Sequence, residues 1–218
     1  MEYWLPVFFA GAMGFAMLIY VILDGYDLGV GLLLPVANEE EKDIMIASIG
    51  PFWDANETWI VLGVGVLLIA FPKAHGLILT SLYLPVTLML MGLILRDVSF
   101  DFRVKAQDSH KKMWNTLFFV GSLIAATSQG WMLGSYVTGL SNTTTSWLFS
   151  FLIALTLPTL YIMLAAAWLL MKTEGALFQK AIGWAKKAIL PMGLGLLLIS
   201  IATPLVSTEI AEKWFSMP

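Results

Sequence analysis

The sequence predicts an all-α, polytopic transmembrane helix bundle of about six spans, organised as one four-helix bundle and two further helices. Hydrophobic residues make up 59% of the 218 residues and charged residues only 12%, whereas a soluble domain carries about 25% charge. Several apolar stretches have the length of about 20 residues that a helix needs to cross the hydrocarbon core. None alternates as barrel strands do, and a helix satisfies its own backbone groups in lipid.

The predicted spans follow one another along the chain with polar connections between them. They are Leu5–Leu23, Phe52–Ala70, Leu77–Leu95, Thr116–Tyr136, Trp147–Met171 and Ala188–Val206. The first stretch lacks a basic amino-terminal region, so we expect a retained span rather than a cleaved signal. Residues 138–146 are rich in Gly, Ser, Asn and Thr and separate the fourth span from the fifth. We expect residues 1–140 to form the first bundle, and residues 141–218 to form the two further helices and an interfacial anchor at 209–215.

The basic residues predict the orientation of the spans. Ten of the 12 Lys and Arg residues lie in the stretches 24–51, 96–115 and 172–187, which share one side of the membrane if all spans insert. Basic residues mark the cytoplasmic side, so we expect both termini on the other side. The net charge of −3 argues against a nucleic-acid partner, and the absence of cysteine excludes disulfides, thiolate haem ligands and iron–sulfur clusters.

Three groups of ionisable residues lie near membrane depth, where one charge costs about 2.5–3.5 kcal/mol at a helix centre. They contain Asp24 and Asp27, then Asp54 and Glu57, then Arg96, Asp97, Asp101 and Arg103. We expect Asp24, Asp54 and Asp101 to meet at one level in a polar cavity, with Arg96 paired to Asp54. For Glu57, a place in the cavity and a place at the solvated surface both stay open.

Other polar residues are expected at the surface. Solvated loops are predicted for Asp97, Arg103, Lys105 and the acidic run 39–43. His75 and His110 are predicted to be interfacial polar residues rather than ligands. The sequence contains no phosphate-binding loop, nucleophilic triad or metal-spaced motif, so we expect neither a metal site nor a catalytic centre complete within this chain.

A row of buried carboxylates suits proton relay, because each can take up and release a proton. Two other interpretations stay open from the residues alone. Acids at membrane depth and paired glycines also serve proton- or cation-coupled transporters. The same acids would serve a purely structural membrane subunit if they only stabilise contacts between helices.

Five motifs occur in a defined order along the chain. They are Asp24-Gly-Tyr-Asp-Leu-Gly-Val-Gly31, Ser48-Ile-Gly-Pro-Phe-Trp-Asp-Ala-Asn-Glu-Thr-Trp59, Phe100-Asp-Phe-Arg103, Ser128-Gln-Gly-Trp-Met-Leu-Gly134 and Ala167-Trp-Leu-Leu-Met-Lys-Thr-Glu-Gly175. In this order and spacing, over about residues 15–175, the sequence resembles subunit II of cytochrome bd-type quinol oxidases, in the cyanide-insensitive branch.

The resemblance implies a respiratory complex of the bacterial cytoplasmic (inner) membrane that oxidises quinol and reduces dioxygen. It implies a heterodimer with subunit I, which carries haems b and d, and a subunit II that is haem-free and not catalytic alone. A small single-span subunit and a bound quinone or lipid are also compatible with it. In that family Asp54, Arg96 and Asp101 match positions of a cytoplasmic proton path, and Asp24 matches a buried acid of the first helix.

The number of spans differs from the pattern of the family. Family members usually have eight spans in two four-helix bundles, whereas about six are predicted here. We therefore expect a shortened or interrupted version, or a variant whose partner occupies the place of the last two helices.

Overall fold

The computed structural model describes residues 4–206 and 208–216, and this part of the chain contains nine α-helices and no strand. The helices are α1 (Trp4–Leu33), α2 (Glu39–Ile49), α3 (Trp53–Ala70), α4 (Pro72–Ser81), α5 (Tyr83–Lys105), α6 (Asp108–Val137), α7 (Thr144–Lys172), α8 (Gly175–Val206) and α9 (Thr208–Phe215). A 3-10 turn, Leu34–Val36, extends α1. The side chains of Glu209 and Phe215, which belong to the predicted anchor, lie outside the described residues.

The prediction of an all-α bundle with six spans is confirmed. Helices α1, α3, α5, α6, α7 and α8 are long and apolar enough to cross a membrane. The start of the third span was wrong, because Leu77 lies in the separate short helix α4 and the span begins at Tyr83. Pro72 begins α4, a position where the missing N–H of proline is tolerated.

Helix α1 continues through its two carboxylates instead of ending before them. Asp24 and Asp27 lie within the helix, which reaches Leu33. The last turns of α1 are buried among other helices, while its first half is largely exposed. The acids are therefore tolerated because neighbouring helices, rather than lipid, surround this part of α1.

Helix α1 forms the centre of the bundle and packs against α3, α6 and α7. Helices α5, α6, α7 and α8 pack against one another in chain order. The crossing of α1 and α7 is so close that a Cβ atom on Gly29 would overlap the backbone carbonyl of Tyr161. At the crossing of α5 and α6, a Cβ atom on Gly92 or Gly121 would also lie too close to the opposite backbone. Small residues permit such approaches between membrane helices.

Helix α2 lies across one end of the bundle. Asn38 and Glu41 form a capping box at its start, in which each side chain accepts from the backbone N–H of the other. Met45 and Ile49 of α2 enter an apolar cluster that also contains Leu169 of α7. Because α7 packs against both α1 and α6, the division of the chain at residue 140 stays a prediction.

Candidate functional site

Six polar residues from three helices meet inside the bundle, and we call this group the Arg96 cluster. Its members are Asp24 and Asp27 of α1, Asn56 and Glu57 of α3, and Arg96 and Asp97 of α5. The two aspartates of α1 are three residues apart and so share a helix face. The cluster therefore connects α1, α3 and α5 through side chains.

The guanidinium of Arg96 is bonded to three carboxylates at once. Its Nη1 donates to Oδ1 of Asp24 at 2.5 Å, its Nη2 to Oε2 of Glu57 at 2.9 Å, and its Nε to Oδ1 of Asp97 at 3.0 Å. The planar fork of arginine suits such multiple charge-assisted bonds. Each of the three nitrogens thus has its own carboxylate partner.

Asp27 is held by a different donor. The side-chain amide of Asn56 donates to Oδ2 of Asp27 at 2.9 Å and to the hydroxyl oxygen of Tyr26 at 2.6 Å. The ring of Tyr26 stacks on the ring of Trp168 with centroids 4.2 Å apart. Asp27 therefore belongs to the cluster through a neutral hydrogen bond and not through an ion pair.

The cluster contains more carboxylates than cations. Four carboxyl groups accompany the single guanidinium of Arg96. The Asp24 and Asp27 side chains are 0% and 1% exposed, whereas those of Glu57 and Asp97 are 23% and 27% exposed. The group thus has an accessible edge and a buried centre. Oδ2 of Asp24 and Oδ1 of Asp27 are buried without a hydrogen-bond partner.

A second buried polar group lies one turn before Asp24 in α1. The amide of Gln129 in α6 donates to the hydroxyl oxygen of Tyr20 at 2.7 Å and accepts from the hydroxyl of Tyr161 in α7 at 2.5 Å. Tyr20 precedes Asp24 by four residues and so lies on the same face of α1. With its oxygen accepting from Gln129, the hydroxyl hydrogen of Tyr20 is available to the unpartnered oxygen of Asp24.

The structure brings together three of the predicted site residues, namely Asp24, Glu57 and Arg96. Asp54 and Asp101 are exposed, and neither is a partner of Arg96. The predicted pair of Arg96 and Asp54 is therefore wrong, and Glu57 takes that place. At 3.6 residues per turn, Asp54 points about 160° away from Asn56, and Asp101 about 140° away from Arg96.

The prediction of solvated loops was wrong for several residues near the bundle end. Asp97 accepts a hydrogen bond from Arg96. Arg103 lies two turns after Arg96 on the same face of α5, is buried, and donates from its Nε to the side-chain oxygen of Asn115. Glu41 is buried against Lys180 of α8. Helix α5 continues to Lys105, so residues expected in a loop occupy helical positions that face neighbouring helices.

Helix α2 takes part in a separate set of contacts, which we call the α2 ion pairs. They join Lys180 to Glu41 at 2.7 Å, Arg103 to Asp43 at 2.8 Å and Lys42 to Glu39 at 2.7 Å. The bond from Lys180, together with that from the Asn38 backbone, holds the pKa of the Glu41 carboxyl below its usual value. The first two pairs attach α2 to α8 and α5, and the third lies within α2.

From the sequence, Asp27 was placed among the ionisable residues near membrane depth but not in the cavity. Four further members of the buried polar groups were missed, which are Asn56, Tyr20, Gln129 and Tyr161. Asp27 and Asn56 carried a signal, since both stand in motifs next to residues that were selected. Gln129 is a polar residue within an apolar span and could have been selected on that ground. The two tyrosines carry no signal of this kind, because tyrosine is ordinary in membrane helices.

The fold and the site define a polytopic helical membrane protein with a buried guanidinium–carboxylate cluster. The chain matches the family "Cytochrome bd terminal oxidase subunit II" over residues 5–217 and belongs to that family.

Relatives with this name occur in several bacteria. The chain is 40% identical over 108 residues to cytochrome bd ubiquinol oxidase subunit 2 of Bacillus subtilis (strain 168). This aligned region covers 48% of this chain and 32% of the relative. It is 32% identical over 130 residues to cytochrome bd-I ubiquinol oxidase subunit 2 of Escherichia coli (strain K12), covering 58% of this chain and 34% of the relative. The matches thus span about a third of the length of these relatives.

The two histidines of this chain do not come together as a pair of axial haem ligands. His75 lies in α4 and His110 near the start of α6, so the two histidines are separated by the length of α5. Among the residues that the structure describes, no group of three or more His, Cys, Asp or Glu side chains could hold a metal ion.

Proposed function

We propose that this chain is the haem-free subunit of a respiratory cytochrome bd-type quinol:oxygen oxidoreductase. In this proposal it scaffolds a subunit I that carries haems b and d, and it contributes to a proton path toward that subunit. Membership of the subunit II family supports the first part. The Arg96 cluster, with four carboxyl groups for one cation inside an apolar bundle, carries the second.

The accessible edge of the cluster is where protons would enter. Glu57 and Asp97 are about a quarter exposed, and both are bonded to the same guanidinium as the fully buried Asp24. Proton transfer requires heavy atoms about 2.6–3.2 Å apart or one bridging water. Arg96 would hold the three carboxylates within such reach of one another and would compensate the charge that a departing proton leaves behind.

Asp54 and Asp101 would take part from outside the cluster. Both are exposed on the surfaces of α3 and α5, where an unpaired carboxylate facing lipid would be costly. We propose that the partner subunit covers these positions and that the proton path crosses between subunits there. Quinol would reach the complex through that partner.

The distribution of basic residues supports an orientation for this path. Ten of the 12 Lys and Arg residues lie in stretches that share one side of the bundle, and the basic side is cytoplasmic by the positive-inside rule. Both termini would then lie on the other side of a bacterial inner membrane. The Arg96 cluster, near the end of α1 and the start of α3, would take its protons from the cytoplasm.

A purely structural role is the competing function, because the cluster also connects three helices. The test uses the complex purified from its native membrane with all its subunits. We expect reduced-minus-oxidised haem spectra in the purified complex. Asp24→Asn and Glu57→Gln should keep the haem content, because Arg96 retains two of its three carboxylate partners in each variant. Both should slow oxygen consumption at least about tenfold, which corresponds to ~1.4 kcal/mol in the activation barrier.

Glu40→Gln provides the matched control, because Glu40 is an exposed acid of α2 outside the cluster. It should leave both haem content and turnover unchanged. A purified complex without haem would contradict the subunit assignment. Normal turnover of fully haem-loaded Asp24→Asn and Glu57→Gln complexes would contradict the proton path and leave the structural role.

A further inference from the structure

Asp27 is the one acid of the Arg96 cluster that has no cation of its own. Each guanidinium nitrogen of Arg96 already donates to Asp24, Glu57 or Asp97. Asp27 is 1% exposed, and its only hydrogen bond in the part of the chain that the structure describes comes from Asn56. Its environment therefore differs in kind from that of the other three acids.

The two oxygens of Asp27 are not equivalent. Oδ2 accepts from the side-chain amide of Asn56, while Oδ1 is buried without a partner. The amide nitrogen can only donate, which makes Oδ2 the acceptor. Asn56 is itself fixed by its second bond to Tyr26, whose ring is held against Trp168. This arrangement suits the carbonyl oxygen of a neutral carboxyl at Oδ2 and the hydroxyl oxygen at Oδ1.

The charges around Asp27 also disfavour its ionised form. The charged and titratable groups around it are Asp24 and Tyr26 of α1, Glu57 of α3, and Arg96 and Asp97 of α5, while α6 presents the uncharged Phe118. If all four acids were ionised, the cluster would have four negative charges against one positive charge. A buried acid without a partner takes up a proton instead of remaining charged.

Asp27 is also separated from bulk solvent. It lines a narrow crevice with Trp53, Arg96, Asp97 and Phe100, and this crevice has no room for a water molecule. The rings of Trp53 and Phe100 lie with their centroids 5.1 Å apart. A proton on Asp27 would therefore leave only after these aromatic walls move and admit a water molecule.

We infer that Asp27 is a proton-binding site, a neutral carboxyl that stores one proton beside the ionised carboxylates bonded to Arg96. When it is used, Trp53 and Phe100 first move and admit a bridging water. The O–H bond of Asp27 then breaks and the proton passes through that water to a neighbouring carboxylate, which becomes neutral as Asp27 becomes charged. The use of the stored proton rests on the proposed function, whereas the presence of the proton does not.

Infrared difference spectroscopy of the purified complex tests whether the proton is present. The protonated carboxyl of Asp27 should give a carbonyl stretching band that shifts on exchange from H₂O to D₂O. Asp27→Asn should abolish this band. The matched control is Asp24→Asn, which removes an acid paired with Arg96 and should leave the band in place. A band that survives Asp27→Asn at full intensity overturns the inference.

A second variant covers a failure of Asp27→Asn to assemble. Asp27→Glu keeps the carboxyl but displaces it by one methylene, so the band should move in frequency and remain exchangeable. A band that stays at its original frequency in Asp27→Glu also overturns the inference. The infrared band does not depend on turnover, whereas the proposed function is tested by oxygen consumption and haem content. Failure of the inference can therefore be distinguished from failure of the proposed function.

Discussion

The Arg96 cluster and the α2 ion pairs use the same residue types in opposite ways. In the α2 ion pairs, Glu41, Asp43 and Glu39 each have a cation of their own. In the Arg96 cluster, one guanidinium serves three carboxylates and a fourth has no cation. The α2 ion pairs contain a cation for each acid and hold α2 in place. The Arg96 cluster has more acids than cations, so one of its acids can bind a proton.

The two regions also differ in their exposure to solvent. Glu39 and Asp43 are 63% and 53% exposed, so water screens their charges. Arg96 and Asp24 are almost completely buried. Exposed ion pairs contribute about 0–1 kcal/mol, while removing one partner of a buried pair costs about 3–5 kcal/mol. The comparison therefore predicts very different effects for similar substitutions.

The largest effect is expected for Arg96→Gln. This change leaves three carboxylates without their cation, and at about 3–5 kcal/mol it should remove most of the stability of the bundle. We expect little assembled complex in membranes, measured as haem content per total membrane protein.

Lys42→Gln is the matched change in the α2 ion pairs. It removes one cation from a pair whose acid is exposed, and it should alter stability by no more than about 1 kcal/mol with normal haem content. Equal losses from Arg96→Gln and Lys42→Gln would contradict the contrast between the two regions.

The sequence predicted the number and type of helices well because each membrane span can be recognised from its own residues, independently of the others. Each span is a long apolar run, and length alone separates a membrane helix from a core helix. Asp24, Glu57 and Arg96 could be selected for a similar reason, since a charge within or beside an apolar run is conspicuous. The ends of several spans were wrong. The third span starts later because Pro72 begins a separate helix, and α1, α5 and α8 extend into stretches that were expected to be polar connections.

The side chains that face one another could not be predicted as well. Helix α3 is apolar on nearly all sides after its first turns, so the sequence does not indicate which face points inward. Asp54 was therefore selected as a partner of Arg96 although Asn56 and Glu57 face the other helices. Gln129 and its two tyrosines depend on contacts between three helices, which no single segment of sequence reveals.

An intermediate effect is expected for Tyr20→Phe. This change removes one hydroxyl and leaves a buried N–H of Gln129 without its acceptor, which costs about 1–3 kcal/mol. The purified complex should unfold at a lower temperature while its haem content stays normal. Tyr136→Phe is a matched control, because Tyr136 is exposed on the same helix as Gln129. Equal stability of the two variants would show that the buried tyrosine–glutamine group adds nothing to the cluster.

The smallest effect is expected from titration of Glu41 in the α2 ion pairs. Its pKa in the folded protein lies below the usual value of 4.5, so its contribution is complete above that value and is lost as the pH falls through the lower, folded pKa. The contribution should be at most about 1 kcal/mol because Lys180, the partner of Glu41, is 45% exposed and its charge is screened by water. Limited proteolysis near α2 should therefore become faster when the pH falls below the folded pKa of Glu41. The Glu41→Gln variant, which cannot titrate at this position, should be cleaved at the same rate above and below that pKa. Cleavage of the unchanged protein that is independent of pH would contradict the role of the Lys180–Glu41 pair in holding α2 against α8.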